Sequence, residues 1–516
     1  MFLGQKERKK TMAIKITLLL LFFAVTVFIG LYYRRRSSDV NSFVLGGRSI
    51  GPWLTAFAYG TSYFSAVVFV GYAGQFGWKF GTAAVWIGLG NAFIGSLLPW
   101  VILGRRTRTM TNHIKSATMP EFFGKRFDSN ALKLAAAVII FIFLIPYTAS
   151  LYNGLSRLFS MAFGINFLWC IIAMAVLTGI YVVAGGVLGT AVNSVIQGVI
   201  MLVGIVAVIA FVLKDNGGFM NAIDSLARVE DAAVSTTPGI FASFLGPKPI
   251  DLLGVVLLTS LGAWGLPQMV AKFYSIKSEK AINKGATIST IFALVIAGGC
   301  YFLGSFGRIY ADRLGDPAVK GFFDTIMPDI VSTMPALLVG IVVLLVLSAS
   351  ISTLAALVMA SSSTLTLDFL KGHFVKKMND KQQLLIIRLL IVVFIAISSI
   401  IAILQYTKGI SFIADLMGIS WGALAGAFLA PFLFGLWWKR ATKISVWCSF
   451  LFSVAVMTLN IFFRGSFPSV IQHPVNCGAF TMLAGLAIVP LVSAFTKPPR
   501  KEVVEDCFSA LDAPTK

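Results

Sequence analysis

The chain has 516 residues, of which 57% are hydrophobic and only 12% charged, with a mean hydropathy of +0.87. Soluble domains carry about 25% charged residues, so this composition excludes a soluble globular protein and requires an all-α polytopic membrane protein. The formal charge of +21 forms no Lys/Arg stripe on a soluble unit, which excludes nucleic-acid recognition and makes the charge a record of membrane topology.

Residues 1–11 contain "KERKK" (6–10) followed by a second methionine, Met12. Lys-Glu-Arg can be encoded by a purine run resembling a bacterial ribosome-binding site, so Met12 is the expected start and 1–11 an extension. After the first apolar run, Tyr32, Tyr33 and Arg34 stand where a signal-peptide cleavage site needs small residues. The run 12–36 is therefore expected to be retained as an extra N-terminal span.

A bilayer core about 30 Å thick takes roughly 20 apolar residues as helix. By that ruler thirteen spans begin near residues 13, 52, 82, 133, 166, 188, 250, 284, 335, 384, 411, 443 and 475. Five of them fill 50–214 and five more fill 249–438. Two C-terminal spans occupy 443–496, and 497–516 is a tail. Basic residues pile up in alternate loops: "RRRSSD" (34–39), "RRTR" (105–108) with Lys115, Lys125 and Arg126, the stretch Lys272 to Lys284, Lys371 to Lys381, "KRATK" (439–443) and the tail. The positive-inside rule then predicts a cytoplasmic C-terminus and, the span count being odd, an N-terminus outside. The basic residues before Met12 oppose that orientation. With no Asn-x-Ser/Thr sequon in the chain, the expected location is a bacterial inner membrane.

Two spans are interrupted by polar and small residues, the second at "AYGTSYFSAV" (58–67) and the seventh at "TSLGAWGLPQ" (259–268). They stand five spans apart, as two inverted five-helix repeats require. Such transporters bind substrate and ion near the midplane, at discontinuous helices whose freed backbone faces protein or water instead of lipid. The ninth span holds "LSASISTLAALVMASSSTLT" (347–366). Small polar residues commonly serve helix packing, but the adjacent hydroxyls of Ser352 and Thr353 can converge on one point beside a carbonyl. A hard cation such as Na⁺ accepts an all-oxygen, neutral shell, which binds weakly enough to release it.

These segments resemble the sodium/solute symporter family, whose members carry proline, pantothenate, sialic acids, sugars and other small solutes. The resemblance runs from "NSFVLGGRSIGP" through the thirteenth span and is carried by "LGGRSIGP" (45–52), "YVVAGGVLG" (181–189), "WGLPQMVAKF" (264–273) and "SASISTL" (348–354). It implies a 5+5 inverted-repeat core with two broken helices. It also implies a Na⁺ site made by the carbonyls of Thr61, Phe64 and Ala349 and the hydroxyls of Ser352 and Thr353. Tyr147 and Trp264 fall at positions that line the family's pocket. The chain departs from the family slightly in "AGGVLG", where the commonest form has a bulkier residue at Val187 and a different small one at Gly189, and more tellingly elsewhere: Tyr63 stands where many members have an acid, Asn193-Ser194 where many have Thr-Asp, and Leu354-Ala355-Ala356 where members with a second sodium site have serines. One Na⁺ per substrate is therefore expected.

Substrate is expected between the breaks, at Tyr59, Tyr63, Ser65, Asn91, Tyr147, Ser150 and Trp264, because aromatic side chains offer apolar area with a polar handle. No Lys or Arg falls near the predicted midplane, and Arg157 lies near a span end. Asp415 sits near the outer end of the eleventh span, as a gate or a structural pair. The expected activity is Na⁺-coupled symport of an amino acid, monocarboxylate, pantothenate or sugar. A Na⁺-independent or proton-coupled transporter of the same fold is the alternative. An ion channel is more remote, because no filter-like repeat or Arg-rich sensor helix is present. A membrane enzyme would need converging His, Asp or Glu inside the spans; the few acids there are isolated. The five cysteines and three histidines show no metal-ligand spacing. Nothing in the sequence sets the oligomeric state.

Overall fold

The computed structural model of the protein describes residues 2–34, 39–317, 319, 321–375, 378–408 and 413–512, with backbone alone at 2–11, 34, 372, 373 and 512. The side chains of "KERKK", the run 35–38 of "RRRSSD" and the His373 ring lie outside the described residues. Among those described, every regular element is helical, and only two isolated β-bridges occur, Ile50–Ile276 and Asp231–Ser235.

Among the described residues, ten helices are long and apolar enough to cross a membrane, or eleven when the bent pair Pro249–Gly265 and Pro267–Ser275 is taken as one span. Two of the ten, Val67–His113 and Phe167–Asp215, have 47 and 49 residues. At 1.5 Å per residue each is over twice the roughly 30 Å of a bilayer core. Each is turned at a glycine in a backbone conformation closed to other residues, Gly81 (φ 61°, ψ −138°) and Gly186 (φ 56°, ψ −166°). Burial sorts the helices into layers. The apolar stretches of Ala336–Lys371 and Ile413–Trp437 are 83% buried, whereas that of Met12–Tyr33 is 11% buried and lies at the periphery. Outward-facing Leu20, Phe28, Trp169, Val203 and Leu389 belong to these outer helices, as a lipid solvent permits.

The basic clusters share one end of the molecule, and many of their guanidinium groups cap helix ends there. Arg126 Nε donates to Gly435 O (2.9 Å) and its Nη2 to Trp438 O (3.0 Å), while Arg106 donates to Leu436 O (2.9 Å). These carbonyls at the end of Ile413–Trp437 have no intrahelical partner and carry the negative end of the helix dipole. The "LGGRSIGP" segment turns sharply through Gly46, Gly47 and Arg48, all at positive φ, and delivers the Arg48 guanidinium to Ser116 O (2.6 Å) and Tyr274 O (3.3 Å). Ile50 and Ile276 complete this junction: Ile50 N donates to Ser275 O (3.1 Å) and Lys277 N to Ile50 O (3.0 Å). The C-terminal helix Lys501–Asp512 docks on the same end through His113 and Asp506 (3.1 Å).

The opposite end is closed by ion pairs. Asp415 accepts from Arg464 Nη2 (3.1 Å) and pairs with His473 Nε2 (3.2 Å). Arg157 reaches Asp324 at 3.6 Å, and the other Asp324 oxygen accepts from Ile413 N (3.4 Å). Burial pushes the imidazole of His473 down to about 4, even with Asp415 beside it. It is therefore neutral at pH 7, and Arg464 is the cation paired with Asp415.

Near the same end, Ala73–Phe80 crosses Glu279–Ser305 with no room for a side chain between them. A Cβ on Gly77 would stand 2.0 Å from Gly304 O, and one on Gly304 would stand 2.1 Å from Ala73 O. Both clashes are with backbone, which cannot move aside locally. Gly304→Val is expected to abolish correctly folded protein, read as loss of the monodisperse peak when detergent extracts are run on size exclusion.

Candidate ion and substrate site

The two broken helices have the same local design. Pro52–Tyr63 ends at Phe64 (φ −107°, ψ 111°), whose N–H still reaches Gly60 O at 3.1 Å; Pro249–Gly265 ends at Leu266 (φ −79°, ψ 124°), whose N–H reaches Gly262 O at 3.2 Å. The first interruption falls in the second half of "AYGTSYFSAV" (58–67), because Gly60, Thr61 and Ser62 remain helical. The carbonyls it frees begin at Thr61, one residue past the carbonyl that Phe64 N still occupies: turning the chain at 64–65 removes the N–H groups four residues onward. Ser65 restarts the helix, with its Oγ accepting from Val67 N (3.2 Å) as a cap.

Ala336–Thr364 passes beside this break. Thr61 Oγ1 and Ser352 Oγ are 2.6 Å apart, and Thr353 Oγ1 donates to Thr61 O (3.1 Å) and to Ala349 O (2.9 Å). Ser194, the position where the family often carries an acid, joins the group, with its Oγ 3.0 Å from Ser352 Oγ. Thr61, Ser194, Ala349, Ser352 and Thr353 are all buried. Four of the five residues of the expected ion site are thus linked by hydrogen bonds. Phe64 lies at the break itself, stacked on Tyr63 with ring centroids 4.4 Å apart.

The donor set suits a hard monovalent cation: neutral hydroxyl and carbonyl oxygens, with no carboxylate. A cation needs oxygen lone pairs, so the hydroxyl protons must point elsewhere. Thr61 has Phe57 O at 2.8 Å and Ser194 has Thr190 O at 2.9 Å to receive theirs. Both hydroxyls can therefore offer lone pairs inward without losing a hydrogen bond. Asn193 does not enter the group; its Nδ2 donates to Thr26 O on the peripheral first helix (3.2 Å).

The aromatic candidates divide into two sets. Tyr59 OH donates to Gly95 O (2.7 Å) and Trp264 Nε1 to Ile94 O (2.8 Å), carbonyls in the wide turn Phe93–Leu97. Tyr63 OH donates to Thr259 O (2.6 Å), with Asn91 Oδ1 3.4 Å away and also accepting from Ser260 (3.3 Å). Ser150 Oγ turns back to Tyr147 O at 2.7 Å. Apart from Ser150, whose bond stays within its own helix, these polar groups latch the two broken helices to each other and to the third span and are already satisfied. Tyr147 OH and Trp421 Nε1 are different: both are buried with no partner within hydrogen-bond geometry, and the Tyr147 hydroxyl faces the side chains of Trp421 and Ser65. Their rings meet edge to face at 5.8 Å, and Tyr63 stacks on Trp421 at 6.1 Å. Trp421 was not among the residues expected from the sequence. Its signal was available as one large aromatic set among small residues, "GISWGALAG" (418–426). Leaving such donors buried and unpaired costs about 1–3 kcal/mol each, so this pair is where a polar ligand gains most.

Lys272 corrects the reading of a basic loop beginning at that residue. It lies within the helix Pro267–Ser275, and its side chain lines a crevice at the basic end.

The model of the sodium:solute symporter family matches residues 43–452. The osmoregulated proline transporter OpuE of Bacillus subtilis is 28% identical over 487 residues, 93% of this chain and 94% of its own. Sodium/proline symporter 2 of Staphylococcus saprophyticus is 28% identical over 506 residues, 95% and 94% of the two chains. In fold, the chain is similar to a Na⁺-coupled sialic acid symporter solved substrate-bound and outward-open. The TM-score is 0.72 at 17% identity, covering 95% of this chain and 99% of that one.

Proposed function

Since this chain belongs to the sodium:solute symporter family, a family of membrane transporters and not of enzymes, we propose that it couples entry of one Na⁺ to uptake of one small organic solute by alternating access. The observation that carries this reading is the buried all-oxygen cluster in which Thr61, from the first broken helix, meets Ser352 and Thr353 across 291 and 292 residues of sequence. Na⁺ bound by the carbonyls of Thr61, Phe64 and Ala349 and the hydroxyls of Ser352 and Thr353 ties one five-helix unit to the other. Binding energy spent there completes the adjoining solute site.

Division of the two long helices at Gly81 and Gly186, with each broken pair as one span, gives thirteen spans and a core of two inverted five-helix repeats. The matched geometry at Phe64 and Leu266 supports that arrangement. The end that gathers the basic residues is then cytoplasmic and carries the C-terminus, with the N-terminus outside. The ion pairs of Asp415 and Asp324 act as the outer gate.

The solute lies against Tyr147 and Trp421, which supply its free hydrogen-bond donors, with Tyr63 and Phe64 as the wall on the ion side. The relatives named for proline favour a compact amino acid among the solutes. Trp421→Ala is expected to raise the KM for solute at least about tenfold, since a buried aromatic contact and one donor are lost together. Trp421→Phe, which keeps the ring, should recover part of it. Both are read in initial uptake rates.

The defining experiment is uptake by proteoliposomes of labelled amino acids, organic acids and sugars, with Na⁺ or K⁺ outside and with or without a pH gradient. Accumulation above equilibrium only with an inward Na⁺ gradient is expected. Accumulation that follows the pH gradient, or equilibration indifferent to both ions, would replace Na⁺ symport by the proton-coupled or facilitative reading.

A further inference from the structure

The crevice at the basic end lies one helical turn beyond the ion cluster. Ala355 and Ala356, three and four residues past Ser352, form part of its wall, as does Thr190, whose carbonyl accepts from Ser194. It therefore lies between the ion cluster and the end proposed as cytoplasmic. Its lining contains no acidic residue and one cation, Lys272. That ammonium, on a half-buried side chain, makes no ion pair or hydrogen bond among the described residues. One turn before it on the same helix face is Gln268, 2% exposed, with both Oε1 and Nε2 unpartnered. The Tyr274 hydroxyl, also part of the lining residues, is a third buried group without a partner.

A lone ammonium drawn partly out of water into a crevice loses hydration that a joining anion makes good. An amide and a hydroxyl left unsatisfied beside it add donors that a carboxylate accepts, and an ionised acceptor strengthens each such bond. Both Gln268 and Lys272 lie on the half-helix that begins at Pro267, whose N-terminal end carries partial positive charge. A neutral polyol would meet the donors but would leave the ammonium uncompensated.

We propose that Gln268 and Lys272 form a release-side subsite for the carboxylate of the transported solute, which makes that solute a carboxylate-bearing molecule and not a sugar. This rests on the transporter reading above. A solute leaving Tyr147 and Trp421 is passed to the ammonium on its way out.

The test is thermal unfolding of the purified full-length protein. Potassium propionate and L-proline are compared with propionamide, D-glucose, potassium chloride and potassium phosphate, each with and without Na⁺. Expected is a Tm rise of about 2 °C or more with the carboxylates alone. The propionate shift should be lost in Lys272→Gln, reduced in Gln268→Leu and retained in Lys272→Arg, while L-proline keeps the part of its shift that comes from Tyr147 and Trp421. Wild-type protein that no carboxylate stabilises overturns the subsite. So does an equal shift with propionamide, glucose, chloride or phosphate, or a propionate shift that survives Lys272→Gln. The Na⁺ arm without organic solute reads the hydroxyl cluster instead. If Na⁺ fails to stabilise the wild type, the symport reading fails; if Na⁺ stabilises and Lys272→Gln changes nothing, only the subsite fails.

Discussion

Ser352→Ala and Thr353→Ala are each expected to weaken Na⁺ binding roughly 10- to 100-fold while leaving a folded protein. Ser352 bridges Thr61 and Ser194, and Thr353 spans the Thr61 and Ala349 carbonyls, so each truncation removes one oxygen from the proposed shell. A polar contact to a charge is worth about 1.5–3 kcal/mol, and each 1.4 kcal/mol is a factor of ten. Thr353→Ser keeps the oxygen and should stay near wild type, whereas Thr353→Val keeps the shape and should behave as the alanine variant does. That contrast separates ion binding from packing. Na⁺ titrations of thermal stability, and of solute uptake at fixed solute, give the affinities. Wild-type Na⁺ dependence in both alanine variants would place the ion elsewhere.

Ser194→Asp is expected to act in the opposite direction, tightening Na⁺ binding at least about tenfold and slowing turnover. The Ser194 hydroxyl is already within 3.0 Å of Ser352 Oγ, so a carboxylate there faces the same oxygens. At about 4 Å and an effective dielectric constant of 20, a unit charge pair gains about 4 kcal/mol. Desolvation of the buried carboxylate offsets part of that. A shell that holds the ion more tightly also releases it more slowly, so the maximal rate falls as affinity rises. The gain should disappear as acid protonates the introduced carboxylate, because the neutral form restores the uncharged shell. The measurement is the same Na⁺ titration at several pH values, combined with initial rates at saturating Na⁺. An affinity unchanged at every pH would separate Ser194 from the ion.

Composition and residue order by themselves determined the class, because hydrocarbon is an intolerant solvent. Runs of about twenty apolar residues, the basic loops between them and the two polar interruptions all follow from the cost of bringing charge or unpaired backbone into lipid. They are legible one segment at a time. The hydroxyl pair Ser352-Thr353 was legible for a related reason: adjacent polar oxygens in an apolar helix call for a partner. Tertiary structure decided what those partners are. Only packing brings Ser194 to Ser352 across 158 residues, or turns Tyr59 and Trp264 toward the carbonyls of Ile94 and Gly95 and leaves Tyr147 and Trp421 open. Lys272 shows the same limit from the other side. In sequence it looks like the first charge of a basic loop, yet the half-helix after Leu266 carries it into a crevice. Whether a polar group is satisfied depends on its neighbours in space, and hydrogen bonds formed between distant helices leave no local pattern of residues to read.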